Sequence, residues 1–185
     1  MFLLLVACTG TGPSPFGDTD TGDSADTDTD SGGASWCDDA QDTSPPGGPD
    51  CFSGAPACGS TIEATTEGGV ASLATDDYGH NFCITDMASQ GYTGAERVYL
   101  VELDGGVYAE ATVSTCAHMG LSAMRWTEEG TCPEAGTTVS SCEGDEGEGT
   151  LSVTFGGFPD ANRWALVVDT AGAEPAAFRL TLECG

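Results

Sequence analysis

The sequence predicts an all-β fold, an antiparallel β-sandwich, over residues 59–185. Residues 151–155 and 178–183 alternate apolar and polar side chains, as strands with one buried face do. Residues 164–168 form a continuous apolar run, which is typical of a central strand buried on both faces. Turns rich in Gly, Asp and Pro separate about eight such short segments. The region contains no capped stretch of helical periodicity longer than about two turns.

A further strand is predicted at residues 98–103, whose side chains alternate between two faces. The turn signal Asp-Gly-Gly follows at 104–106 and leads into the alternating segment 107–114. Because such a turn commonly joins neighbouring antiparallel strands, we predict a β-hairpin at this position.

Several of these segments, taken together, resemble the bacterial pre-peptidase C-terminal domain. The similarity lies in ERVYLVEL at 96–103, GGVY at 105–108, WALVVD at 164–169 and F-x-L-x-L at 178–182. It spans about residues 59–184, with a cysteine-rich middle. The resemblance implies a jelly-roll-like β-sandwich of a kind found beside secreted peptidases and in bacterial cell-surface proteins.

The sequence predicts no metal site and no cofactor. Members of that family often carry an Asp-x-Asp pair before a central strand, and the corresponding residues 119–126 lack it. The Asp-x-Asp-x-Asp run at 26–30 begins like an EF-hand loop, but Ser31 and Cys37 occupy the positions that require Gly and Glu. The alternative there is weak, diffuse condensation of cations such as Ca²⁺, and no specific Ca²⁺ site is predicted. No cysteine pair has the spacing of a zinc site.

The charge balance excludes several classes of partner. The chain has 30 acidic residues and four cations, with a formal net charge of −26. The cations are all arginines: Arg97, Arg125, Arg163 and Arg179. So few cations cannot neutralise phosphates, which excludes nucleic acid and electrostatic docking on anionic lipid. The acidity is interpreted as a solubility device, with attraction of cationic surfaces as the alternative.

The chain begins with an apolar run ending in cysteine, residues 1–8, which resembles the bacterial lipobox. This resemblance implies that Cys8 is lipidated. The run is short and has no cationic start, so we interpret it as a signal peptide truncated by a start codon placed too far downstream; the alternative is a chance apolar N-terminus. Residues 9–35 are predicted to be a disordered Asp/Thr-rich linker, and residues 36–58 a Cys/Pro/Gly-rich collar without regular elements.

Lipidation of the lipobox cysteine leaves an even number of cysteines for disulfide bonds. The candidates are Cys37, Cys51, Cys58, Cys83, Cys116, Cys132, Cys142 and Cys184. Eight cysteines allow 105 connectivities. From their proximity in the sequence we predict the pairs Cys132–Cys142 and Cys37–Cys51, and we expect Cys184 to bind an early part of the fold.

No catalytic motif accompanies these features, so the sequence predicts no enzyme. The two histidines, His80 and His118, have neither a G-x-S-x-G nor an H-E-x-x-H context and are interpreted as structural. Trp126 and Trp164 are predicted in the core, with a carbohydrate platform as the alternative. Trp36 is expected to be a contact residue or to plug the collar.

The sequence therefore predicts a non-catalytic, lipid-anchored binding or structural module of the cell envelope, presented on an acidic tether. The alternative is an accessory or targeting domain of a secreted peptidase or other hydrolase system. The expected partners are the membrane, through the lipid anchor, and a protein or polysaccharide at the cell surface. We expect a monomer, exported and anchored at the bacterial outer membrane or cell surface.

Overall fold

The architecture is taken from a computed structural model of the chain. It describes five stretches: residues 36–47, 51–73, 91–128, 131–133 and 141–185. The predicted signal peptide and acidic linker lie outside these residues. Within the described stretches, no helix has the length and apolarity that a membrane span requires.

In the described residues, eight strands form two four-stranded antiparallel sheets. The strands are β1 (Ser60–Thr65), β2 (Arg97–Leu103), β3 (Tyr108–Thr115), β4 (Met119–Arg125), β5 (Cys142–Gly147), β6 (Thr150–Gly156), β7 (Asn162–Thr170) and β8 (Ala177–Cys184). Sheet 1 has the order β1-β8-β3-β6 and sheet 2 the order β2-β7-β4-β5. A helical turn, α1 (Trp36–Asp39), precedes the first strand, and a 3₁₀ turn (Thr66–Gly68) follows it.

The strand order is that of a jelly roll. Successive strands pass from one sheet to the other, and among the described strands only β4 and β5 are neighbours in both sequence and sheet. Eight strands in two facing antiparallel sheets with such crossing connections define this architecture. The predicted all-β antiparallel sandwich is confirmed, and β7 is central in sheet 2 as its apolar run predicts.

The predicted hairpin at residues 104–106 is wrong, because β2 belongs to sheet 2 and β3 to sheet 1. The turn is a corner between the sheets. The Gly106 N–H donates a hydrogen bond of 2.7 Å to the Phe158 carbonyl, with Gly106 at φ 81°. Gly105 lies so close to Pro159 that a side chain there would collide with the Pro159 carbonyl. The turn therefore packs on a neighbouring loop and does not align β2 with β3 as partners.

The main core lies between the sheets. The inward residues of β3, β6 and β8 alternate with outward polar residues. They are Ala109, Ala111, Val113, Leu151, Val153, Phe155, Phe178, Leu180 and Leu182. Trp164 of β7 is 1% exposed, and its ring lies 5.0 Å from that of Phe155. The prediction that Trp164 is a core residue is confirmed.

A second apolar cluster covers the outer face of sheet 2. Residues 51–54, residues 70–73 and Tyr92 form this layer, which we call the cover. Its buried members and the residues of sheet 2 under them, with Trp126 directly after β4, are Cys51, Leu73, Tyr92, Val98, Met124, Trp126, Ala165 and Val167. Trp126 is 3% exposed here, which confirms its assignment to the core. The cover also pairs with β2, since the Ser53 N–H donates to the Val98 carbonyl at 2.7 Å.

A buried arginine holds the segment that leads into the cover. Arg97 is 1% exposed and donates to the carbonyls of Thr65 and Pro45, each at 2.7 Å. It also forms an ion pair with Asp42. The prediction that residues 36–58 lack regular elements is wrong at one place, because Trp36–Asp39 forms a helical turn ahead of Pro45.

Disulfide bonds are present, as predicted, but two of the predicted pairs are wrong. The structure bonds Cys37 to Cys116, Cys51 to Cys132 and Cys58 to Cys184, with Cα–Cα distances of 5.7, 5.5 and 5.4 Å. Cys142 is also disulfide-bonded, and Cys8 and Cys83 lie outside the described residues. The errors arise because sequence proximity does not determine pairing: the long loops bring distant cysteines together across the sandwich. The expectation for Cys184 is confirmed.

Candidate functional site

The candidate site is a cleft of about 830 Å³ at one end of the sandwich. It lies where β2, β4 and β8 end and where β7 begins. Its walls are formed by Cys58, Glu102, Leu103, Asp104, Val107, Arg125, Trp126, Thr127, Ala161, Asn162, Arg163, Cys184 and Gly185. The volume falls within the range of small-ligand pockets, about 300–1,000 Å³.

Covalent and backbone bonds fix one wall of the cleft. The bonded cysteines Cys58 and Cys184 both line it. Beyond them, Gly185 and Tyr108 exchange two backbone hydrogen bonds of 3.0 Å. This wall is thus held in place before any ligand arrives, which reduces the entropy that binding must overcome.

Arg125 is the unusual member of the lining. It stands at the end of the row of β4 residues whose other members, Met119, Leu121 and Ala123, face the main core. Its guanidinium carbon lies 4.0 Å from the centre of the Phe158 ring. Its Nε is buried and has no hydrogen-bond partner.

Two of the other arginines have acidic partners. Arg97 pairs with Asp42, and Arg179 donates to Glu63 at 2.5 Å. For Arg125, no acidic side chain within the described stretches lies at ion-pair distance. An unpaired, half-buried cation is unexpected in a chain with 30 acidic residues, because a desolvated charge is costly without a counterion.

The ring under Arg125 is itself held in place. Phe158 packs on Trp164 with the ring centres 6.0 Å apart. The Trp164 indole N–H donates to the Asn162 side-chain oxygen at 2.5 Å, and the Asn162 amide donates to the Asp160 carbonyl at 3.0 Å. Arg125 is therefore positioned by a chain of packed and hydrogen-bonded groups.

The cleft also offers hydrogen-bond acceptors, and a further unpaired donor is buried in its wall. Glu102 and Asp104 are exposed and line it on the β2 side. The indole nitrogen of Trp126 is buried and has no hydrogen-bond partner. Hydrogen-bond donors and acceptors thus surround a partly apolar space. Such a space suits a polar ligand with its own hydroxyl or carboxylate groups.

His118 lies at the opposite end of β4, away from the cleft. Its Nε2 is 3.8 Å from Glu146 Oε2, and the same oxygen accepts a hydrogen bond of 3.2 Å from the Tyr92 hydroxyl. Burial and then the negative charge of Glu146 raise the pKa of Tyr92 above its usual range. His80 lies outside the described residues. Across the described part of the chain, no group of three or more His, Cys, Asp or Glu side chains is placed to hold a metal ion.

Sequence reasoning did not identify this cleft. Trp36, predicted to be a contact residue or to plug the collar, packs against sheet 1. There the Arg179 guanidinium of β8 lies 4.9 Å from the centre of its ring. The available signal was Arg125 itself, a charged residue in phase with the inward-facing residues of a strand. A lone arginine at such a position also occurs at ordinary strand ends, so the signal is weak.

Fold and bonding define the class of protein: a disulfide-bonded jelly-roll domain, of the kind that forms in oxidising compartments. No family model and no curated protein matches the chain.

Among solved structures it is similar to the pre-peptidase C-terminal domain of a collagenase from Bacillus anthracis. The identity is 9%, the match covers 70% of this chain and 90% of that one, and the TM-score is 0.40. It is also similar to CorA, a surface-associated copper-binding protein important in copper acquisition by Methylomicrobium album BG8. There the identity is 11%, the coverage 72% and 98%, and the TM-score 0.44. Both scores are below 0.5, so the jelly-roll assignment rests on the strand order.

Proposed function

We propose that this chain is an exported, non-catalytic binding module that holds its ligand in the cleft at the end of the sandwich. The observation that carries the proposal is Arg125, which is half-buried, stacked on Phe158 and without an acidic partner among the described residues. Leaving such a cation unpaired lowers stability, and a ligand that supplies the missing anion compensates for this.

The composition of the walls favours binding over catalysis. The lining residues include no histidine and no serine, and the two cysteines among them are bonded to each other. The hydroxyl group of Thr127 therefore has no imidazole base among the lining residues. Catalysis by nucleophile and base needs such groups within hydrogen-bond reach of each other. The carboxylates of Glu102 and Asp104 remain as acceptors for a bound ligand.

The proposal includes a lipid anchor at Cys8 and location at the outer membrane or cell surface as a monomer. The lipobox-like run at residues 1–8 supports the anchor, and the acidic residues 9–35 suit a spacer between lipid and domain. The disulfide bonds support export, because a reducing cytosol does not maintain them. Mass spectrometry of the native protein is expected to show acyl chains on Cys8; an unmodified Cys8 would refute the anchor and leave the cleft proposal unaffected.

The binding proposal is tested with a glycan and peptide array probed by the purified full chain. We expect retained ligands to be lost in Arg125→Gln and kept in the matched control Arg179→Gln, which changes an arginine outside the cleft. Ligands retained equally by both variants would contradict binding at this site. Hydrolysis that disappears in Glu102→Gln or Asp104→Asn would replace the binding module with an enzyme.

A further inference from the structure

We propose that the cleft recognises an acidic oligosaccharide and that Arg125 binds the carboxylate of a uronic acid residue in it. The proposal rests on the proposed function and adds the chemistry of the ligand. It follows from three properties of the cleft, which are the geometry of Arg125, the charge around it and the short length of unpaired β2 edge in the described part of its walls.

The stacked guanidinium is well placed to bind a carboxylate. Phe158 contacts Arg125 with its ring face, whereas the N–H groups of a guanidinium point outward in its own plane. The contact through the guanidinium carbon therefore leaves the two terminal nitrogens able to donate, whereas Nε is buried. A planar fork of two N–H groups matches the two oxygens of a carboxylate, and the pair is stronger than a hydrogen bond between neutral groups.

The surrounding charge limits how many carboxylates a ligand can bring. The chain carries a net charge of −26, so it repels polyanions at long range. The second arginine of the lining, Arg163, already interacts with another group of the protein. Within the cleft, Glu102 and Asp104 would repel a second carboxylate but accept hydrogen bonds from hydroxyl groups. The cleft thus suits a ligand with one carboxylate among many hydroxyls, which is the composition of an oligosaccharide with a single uronic acid.

The backbone in the walls argues against a peptide. Extended peptides commonly bind by adding a strand to an unpaired sheet edge. The β2 edge leading to the cleft is paired at two residues, because the Leu100 N–H donates to the Gly54 carbonyl at 3.0 Å and Ser53 pairs with Val98. An added strand would have only the last residues of β2 to pair with. Thr127 is an exposed residue of the lining, and its hydroxyl group can both donate and accept hydrogen bonds. Side chains that both donate and accept are suited to sugar hydroxyls.

The experiment measures affinity by titration calorimetry with the full chain and a defined panel of probes. The probes are trisaccharides that carry one glucuronate, galacturonate or mannuronate, and the methyl ester of each. Esterification removes the negative charge and leaves the size and the hydroxyls almost unchanged. We expect at least one acid to bind about tenfold or more tightly than its ester.

Arg125 variants then connect that preference to the cleft. Arg125→Gln is expected to lower the affinity for the acid to that of the ester, and Arg125→Lys to retain part of the preference, since it keeps the charge and loses the planar fork. Arg179→Gln controls for the loss of one arginine and should leave the ratio unchanged. Thermal unfolding of each variant establishes that it is folded, and Arg125→Lys provides the test if Arg125→Gln is not.

The failures are distinguishable. A panel in which no acid binds more tightly than its ester, or a preference that survives in Arg125→Gln, overturns the carboxylate proposal. If the array shows Arg125-dependent binding of peptides and no acidic sugar binds, the ligand class proposed here is wrong while the binding module stands. If no array ligand depends on Arg125, the proposed function itself fails.

Discussion

The outer faces of the two sheets differ in how they meet solvent. On sheet 1, one row of hydroxyl side chains crosses all four strands from Thr61 through Thr181 and Thr112 to Ser152. The first two hydroxyl groups lie 3.1 Å apart, and the row is exposed or half-buried. On sheet 2, the outer face is apolar and lies under the cover.

This difference explains the two strand patterns in the sequence. The strands of sheet 1 alternate because only one of their faces is buried, as in β6. In sheet 2, β4 and β7 are buried on both faces and have almost continuous buried residues. An antiparallel strand with such a pattern requires a second layer, and here long loops tied by Cys51–Cys132 provide it.

The largest expected effect is a difference in stability loss between two arginine replacements, one at sheet 2 and one on sheet 1. Arg97 is 1% exposed and bonded to oxygens of the segment entering the cover, whereas the Arg179 side chain on sheet 1 is 39% exposed. Arg97→Met should lower the free energy of unfolding by about 3–5 kcal/mol, because it leaves buried acceptors unpaired. Arg179→Met should change it by about 0–1 kcal/mol. Urea unfolding measures both, and equal losses would contradict the contrast.

Removing the bond that ties down the cover is expected to have the next largest effect. Replacing both Cys51 and Cys132 with Ala should cost about 2–5 kcal/mol and increase the binding of a hydrophobic dye, since the apolar face of sheet 2 becomes exposed. Replacing Cys58 and Cys184 with Ala is the control, with a similar loss of stability and no gain in dye fluorescence. A gain of the same size in both variants would show that the cover is not held by its own bond.

Exchanging one β-branched residue on each face gives a smaller effect. Val167→Thr places a hydroxyl group under the cover and should cost about 1–3 kcal/mol, because that group has no water to bond. Thr181→Val on the hydroxyl row of sheet 1 should stay within about 0.5 kcal/mol. Thermal unfolding of the two variants measures the difference, and a tolerated Val167→Thr would mean that the cover admits water.

The dependence of stability on pH is expected to be the most subtle difference. Glu96 is 0% exposed, and its Oε1 accepts hydrogen bonds from the backbone N–H groups of the cover residues Ser72 and Leu73 at 2.8 and 3.1 Å. Burial raises the pKa of Glu96 above its ordinary value of 4.5, although the hydrogen bonds from Ser72 oppose the shift.

As pH rises from 4.5 through the raised pKa of Glu96, the unfolded chain releases this proton before the folded chain does. The contribution of Glu96 to stability is therefore present at lower pH and is lost as pH rises. Urea unfolding at several pH values should show that Glu96→Gln removes this decline. Glu183→Gln, at an exposed position of sheet 1, controls for the loss of one acid, and identical profiles for wild type and Glu96→Gln would contradict the assignment.

Much of the fold could be predicted because alternation and apolar runs report burial directly. The alternating residues of β6 and β8 and the apolar run of β7 identify strands and faces without knowledge of their partners. Sheet membership was not predictable in the same way. The Asp-Gly-Gly turn suits either a hairpin or a corner, and its packing against Phe158 and Pro159, which come from a distant part of the sequence, decides between them.

The site was less predictable for a related reason. The cleft is formed by the ends of four strands, and the contacts that make Arg125 unusual come from residues more than 30 positions away, such as Phe158. Disulfide pairing failed similarly, because Cys51 and Cys132 are 81 residues apart. Local sequence patterns carry no information about contacts between residues that are far apart in the sequence.

The three described disulfide bonds overlap one another along the chain, because each opens before the previous one closes. A single backbone cut at any point between residues 37 and 184 therefore falls inside at least one covalent loop, and both fragments stay joined. A protease that nicks an exposed loop does not release a piece of the domain. Such damage would be visible on a gel only after reduction, and outside the cell the nicked molecule would persist as a single covalent unit.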